Sequence, residues 1–168
     1  NKMKQMKYKK QIQLIAAIVT LIVFPVITFY LMEAYTHNPF EEVRPWAQFF
    51  NILLFELLAW IFVSVTGKIQ SGLRIELVTA MIYGIANAYV VRFRTNPIVP
   101  WDIFSWKTAA SVASNYDFKP DIRMIVVTLA FLGMIVLLQF VKTGMPKFQL
   151  WKRLIPAGAC CIVLVLFV

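Results

Sequence analysis

Residues 12–31 read IQLIAAIVTLIVFPVITFYL, twenty positions without a charged side chain. A helix of about 20 mostly apolar residues crosses the hydrocarbon core of a bilayer, so this stretch predicts a transmembrane helix. Lys2, Lys4, Lys7, Lys9 and Lys10 precede it. A basic leader also marks a secretory signal, but a signal has a shorter apolar core and a small-residue cleavage site after it. This run is too long, and no such site follows. Four further stretches read the same way: 46–65, 75–91, 122–141 and 154–168. The fifth is short for a span. Its shortness, the start at Asn1 rather than Met and the stop inside an apolar run lead us to expect a piece of a longer protein.

The composition agrees. Of 168 residues, 60% are apolar and 15% charged, whereas soluble domains run at about 45–50% and about 25%. One small core cannot hide that excess, so a soluble or a disordered chain is excluded. Lys and Arg number 17 against 8 acids, a net charge of +9. In a membrane protein this excess points to cytoplasmic loops and anionic headgroups. No basic stripe interleaved with aromatics suggests a nucleic-acid partner. Cys160 and Cys161 are adjacent inside an apolar run, which disfavours an ordinary disulfide between them and supplies no thiolate metal site.

Summed over alternate compartments, the flanking Lys and Arg divide eleven to six in favour of the side holding the N-terminus, Lys68, Arg74, Lys142, Lys147, Lys152 and Arg153. The positive-inside rule then places the N-terminus in the cytoplasm and the C-terminal side outside. The fold class expected is an all-α integral membrane bundle of five transmembrane helices with a short extracellular amphipathic helix at the interface. That helix is predicted over about 103–114. Asn96-Pro97 and Val99-Pro100 impose extended backbone, and Asp102 is a good N-cap. Ile103, Trp106, Ala110 and Ala113 recur at helical spacing, Trp101, Phe104 and Trp106 add aromatic weight, and Asn115-Tyr116-Asp117 with Pro120 ends the helix.

Residues able to do chemistry are few. His37 has no second His or Cys to complete a zinc site and reads as a solvated turn residue beside Asn38-Pro39. Glu56 sits ten residues into the second span, where an ionisable group is costly and is a functional hypothesis by default. It is either a polar seat for a headgroup or proton, or a neutral, hydrogen-bonded carboxyl joining the second and third spans; the second reading is favoured. Its expected partners are Tyr83 and Asn87. Ala80, Gly84 and Ala88 form a small-xxx-small ridge that permits close approach. Pro25 and Pro156 are expected to bend their helices. Arg92 and Arg94 offer planar forks suited to phosphate, or simply snorkel to the interface.

The run Val91-Arg92-Phe93-Arg94-Thr95-Asn96-Pro97-Ile98-Val99-Pro100-Trp101-Asp102, continuing through Lys107-Thr108-Ala109-Ala110-Ser111-Val112-Ala113 to Asn115-Tyr116-Asp117-Phe118, resembles the lipoteichoic acid synthase family. There a loop of the form FR-x-x-P-x-x-P-W-D precedes a helix rich in small residues, and five spans start from an inside N-terminus. The resemblance covers essentially the whole chain. It implies a membrane domain of a Gram-positive plasma-membrane enzyme, followed after residue 168 by a sulfatase-like extracellular catalytic domain. That domain would carry manganese and a threonine nucleophile, and transfer glycerophosphate from phosphatidylglycerol to a growing polyglycerolphosphate chain. No catalytic position falls within this sequence. Arg92, Arg94, Trp101, Asp102 and Trp106 would position lipid or phosphate for the chain's own catalytic domain. Two other readings stay open: the membrane part of a phosphoethanolamine transferase, against which the Pro-Trp-Asp loop argues, and a self-standing protein that binds or moves lipid.

Overall fold

A computed structural model describes residues 2–141 and 150–167. Lys142 and Lys147, counted above for orientation, and Val168, the predicted end of the fifth span, lie outside the described residues. Among the described residues all regular structure is helical. It comprises α1 (Lys2–Glu33), α2 (Pro39–Glu42), α3 (Pro45–Thr66), α4 (Ile69–Arg94), α5 (Trp106–Val112), α6 (Ile122–Phe140) and α7 (Leu150–Phe167). Four of these, α1, α3, α4 and α6, are long and apolar enough to cross a membrane. The apolar part of α7, Leu154–Leu166, is shorter.

The α3 and α6 boundaries fall within a residue of expectation. The other boundaries move. Helix α1 begins among the lysines, because lysine is a good helix former and nothing in the run breaks the ladder; α1 also runs on through Pro25. Helix α4 begins at Ile69, six residues before the predicted start of the third span. Gly67 ends α3 in the left-handed region (φ 69°), donating its N–H to the Val63 carbonyl. Glycine takes that conformation without a Cβ penalty, so the chain turns in two residues. Arg74 therefore stands inside a helix rather than in a loop.

Helix α4 is the centre of the bundle. It packs against α1, α3 and α6, while α3 also contacts α1 and α7. Its buried face runs through Gly72, Leu73, Glu76, Leu77, Ala80, Gly84 and Ala88, the i, i+3, i+4 pattern of one helical stripe. Opposite it lie Thr28 and Phe29 of α1, Phe55, Ala59 and Val63 of α3, and Met124, Val127 and Phe131 of α6. Lipid is as apolar as leucine, so close packing rather than water exclusion must hold such helices together. Two glycines supply it. A Cβ on Gly72 would stand 2.5 Å from the Val63 backbone nitrogen, and one on Gly84 would overlap the Tyr35 ring. The ridge of Ala80, Gly84 and Ala88 is buried as expected. At Gly84, however, it receives an aromatic side chain from the turn after α1. Large apolar side chains such as Ile22, Leu129, Val136 and Leu137 point away from the bundle, forming the surface a bilayer would cover.

Candidate functional site

The ends of α1 and α4 meet the starts of α3 and α6, and the segment 95–121 is built on this end of the bundle. Its outgoing limb is bound to the last turns of α4. Asn87 Oδ1 accepts the Ile98 N–H at 2.8 Å, and Tyr83 donates its hydroxyl to the Ile98 carbonyl at 3.4 Å. Arg94 forks onto Asp102 with contacts of 2.9 and 2.6 Å, and also donates to the carbonyls of Pro97 (2.7 Å) and Asn96 (3.3 Å). The other Asp102 task is internal: its carboxylate accepts the Val99 N–H at 2.8 Å. These bonds to the charged form hold the Asp102 carboxyl at about 2, below its ordinary 3.8, with the Arg94 guanidinium the larger cause. Tyr83 and Asn87 thus serve the loop, which corrects their expected pairing with Glu56.

Asp102 does not act as the N-cap of a helix starting at Ile103. It lies inside a 3₁₀ turn, Pro100–Ser105, that Pro100 opens. Only Trp106–Val112 is α-helical, and a second 3₁₀ turn, Ala113–Asn115, completes the segment. The predicted single helix over 103–114 is therefore three short pieces, because the Arg94 and Val99 contacts tie the first turn tighter than an α-helix allows. Tyr116 is extended, so the segment ends where Asn115-Tyr116-Asp117 predicts.

The return limb is an aromatic seam that the sequence reading passed over. Phe93 stacks on Tyr116 at 4.4 Å between centroids, and Phe118 lies edge-on to both Tyr89 and Phe93 at 5.3 Å. Tyr89 donates its hydroxyl to the Phe118 carbonyl at 2.8 Å. Arg92 donates to the Lys119 carbonyl and to Asp121 Oδ2, both at 2.8 Å, with its guanidinium 5.5 Å from the Tyr89 centroid. Asp121 Oδ1 accepts the Met124 N–H at 2.8 Å and so caps α6. The i, i+4 spacing of Tyr89 and Phe93 was the available signal. Between the two limbs, Trp101 (75% exposed), Ile103, Phe104 (78%) and Trp106 stand out from the protein.

Several cavities open at this end, and two of them flank Tyr83. One, of about 560 Å³, lies between α4 and the loop, with Arg94 and Asp102 beside Val90, Val99, Ile103 and Trp106. The other, of about 440 Å³, is lined by Glu33, Thr36, His37, Asn87 and Thr95 among others. Tyr83 lines both. His37 is not a free turn residue: Nε2 lies 3.0 Å from Glu33 Oε2, and Nδ1 lies 2.8 Å from Thr36 Oγ1.

Glu56 has a neighbour the sequence reading missed. Glu76 of α4 is 1% exposed, close enough to Glu56 for their charges to interact, and neither of its oxygens has a hydrogen-bond partner. Glu56 Oε1 is likewise buried and unpartnered, which corrects the picture of a hydrogen-bonded carboxyl joining the spans. Glu76 escaped notice because a span beginning at residue 75 leaves it at the interface; the earlier start of α4 draws it into the buried stripe. Among the described residues no group of three or more His, Cys, Asp or Glu is placed to hold a metal ion. The manganese that the family resemblance implies belongs to the domain expected after residue 168, not to these residues.

Among the described residues, fold and site together define an all-helical arrangement with four helices long and apolar enough to cross a membrane and a braced loop segment at one end. No protein-family model, curated protein or solved structure matches the chain.

Proposed function

We propose that this chain is the membrane domain of a lipoteichoic acid synthase-like phosphoglycerol transferase. In this reading α7 completes five spans, the N-terminus is cytoplasmic, and the segment 95–121 faces outward beneath a catalytic domain that follows residue 168. The observation that carries the proposal is the motif itself. Arg94, Pro97, Pro100 and Asp102, which bear the family resemblance with Trp101, are the residues that shape one braced structure. The brace leaves Trp101, Phe104 and Trp106 exposed, and the tryptophan rings, each with one polar edge, are favoured in the headgroup layer.

The chain's own part in the reaction is positional. Its spans fix a reaction surface at a set height, and holding reactants in place removes an entropic cost from a two-substrate reaction. Arg92 and Arg94 act mainly by shaping the loop, since a phosphate would have to displace Asp121 or Asp102 to reach the same N–H groups. The test compares lipid turnover by the full-length protein and by its soluble catalytic part in matched phosphatidylglycerol membranes. The full-length protein should be faster by roughly tenfold or more, well within what positioning can supply. Equal turnover removes the role given to this chain.

A further inference from the structure

Three buried carboxyl oxygens inside the bundle, both of Glu76 and Oε1 of Glu56, have no hydrogen-bond partner. No cation of the neighbouring helices answers them. Residues 12–31 of α1, 124–140 of α6 and 154–167 of α7 carry no charged side chain, and α3 carries only Glu56. Arg74 stands two positions before Glu76 on α4, and helical residues at that spacing do not face each other. An ionised carboxyl at such a place is costly, so it calls for a proton or for a cation from outside.

The helix opposite supplies a matching oxygen. Helix α1 packs on both α3 and α4, and its buried stripe includes Ala17, Leu21, Pro25 and Phe29. Pro25 has no N–H, so the Leu21 carbonyl loses the donor that a helix would give it. Leu21 is itself only 6% exposed. Contacts between the helices set their levels. Antiparallel α3 and α4 meet at Val63 and Gly72, where an added Cβ would stand 2.5 Å from the Val63 nitrogen. One turn on, Ala59 and Glu76 therefore share a level, with Glu56 a turn beyond Ala59. Antiparallel α1 and α3 meet at Phe29 and Phe55, 5.8 Å between ring centroids, which brings Leu21 and Pro25 to within about a turn of Ala59. Helical side chains lean toward their own N-terminus, so the Glu76 side chain leans toward the Leu21 end of this level.

The donors gathered here are all oxygen, which selects a hard cation. A divalent ion such as calcium takes about six to eight oxygens, more than three carboxyl oxygens and one carbonyl provide. A monovalent ion needs one ionised carboxyl and leaves the other its proton. Interrupted helices whose freed carbonyls hold sodium are a known device of membrane bundles. Ala59, Leu73 and Leu77, all fully buried, pack the surroundings tightly and favour a small ion. We propose that Glu76, Glu56 and the Leu21 carbonyl bind a sodium ion between α1, α3 and α4, in competition with a proton. The site lies within the bundle and needs no catalytic domain, so its test stands apart from that of the transferase reading.

The intact chain in detergent is melted near neutral pH in choline chloride, and again in sodium or potassium chloride at equal concentration. Sodium should raise the melting temperature over choline by about 3 °C or more, and potassium by clearly less. Glu76→Gln should melt level with wild type or higher in choline, and should lose the sodium shift. Pro25→Ala returns an N–H to the Leu21 carbonyl, and should raise the sodium concentration needed for half the shift by about tenfold. If one variant fails to fold, the other still decides. In the wild-type protein, sodium but not potassium should slow modification of Glu76 by dicyclohexylcarbodiimide, which attacks the protonated acid; mass spectrometry locates the adduct. The absence of a sodium shift in wild type, an equal shift with potassium, or an unchanged sodium response in a folded variant overturns the proposal. Carbodiimide modification of Glu76 at the same rate in sodium and choline does so too.

Discussion

Arg94 and Asp102 form the most consequential pair of side chains in the loop. The guanidinium makes two parallel bonds to the carboxylate and reaches two carbonyls besides, a geometry that lysine's point charge cannot reproduce. Arg94→Lys should therefore free the limb 96–102. Faster hydrogen exchange at the Val99 amide, which Asp102 holds, would report it, while wild-type protection in the lysine variant would contradict the clamp. The acid limit follows from the depressed carboxyl. Its contribution is complete above the ordinary value of 3.8 and disappears as pH falls through about 2. Val99 protection should hold from neutral pH to about 4 and collapse toward pH 2; a loss centred near pH 6 would point to another group.

Glu76 invites a different substitution. An unpartnered carboxyl in an apolar hairpin carries a desolvation cost of about 1–3 kcal/mol or more. Glu76→Gln keeps the shape and removes one acid. Thermal unfolding in detergent should rise by a few degrees or hold level, and Glu56→Gln should change little. A fall of more than about 5 °C on Glu76→Gln, of the order that 1–2 kcal/mol produces in a domain of this size, would mean that the carboxyl has a stabilising partner.

Among the elements, α4 carries both the packing and the loop, and its glycine contact at Gly84 differs in kind from the open glycine of α6, Gly133. Gly84→Ala places a methyl into the Tyr35 ring, which is itself fixed by a 2.9 Å hydrogen bond to Thr128 and by stacking on Phe131. Tyr35 has little room to yield, so overpacking should cost about 1–3 kcal/mol. Gly133→Ala, where a Cβ meets nothing within 4 Å, should gain up to about 1 kcal/mol from helix propensity. Melting curves of the two variants check this, and equal shifts would refute the assigned contact. The same helix shows how much was legible. Apolar length located α3 and α6 to within a residue, because water and lipid sort such runs directly. The start of α4 was not legible: Gln70, Arg74 and Glu76 break the apolar pattern, and only the tight turn at Gly67 makes that stretch helical. At the site, the Pro and Asp signals announced an ordered loop. They did not show that Arg94 closes on Asp102, nor that Tyr116 and Phe118 fold back on Tyr89 and Phe93, since those contacts depend on tertiary approach.

For the whole molecule, the arrangement concentrates its polar organisation at one end. Tyr30 donates to Gln48, Gln48 ties the turn around α2 through the carbonyls of Pro39 and Val43, and Arg92 joins α4 to the cap of α6. The transferase reading requires this end to face away from the cytoplasm. Ser111 is an exposed position on α5, suited to a reporter. The direct test places a single cysteine at Ser111 in a background lacking Cys160 and Cys161, then exposes intact cells to a membrane-impermeant thiol reagent. The account predicts labelling without lysis; labelling that appears only after the cells are broken would contradict it.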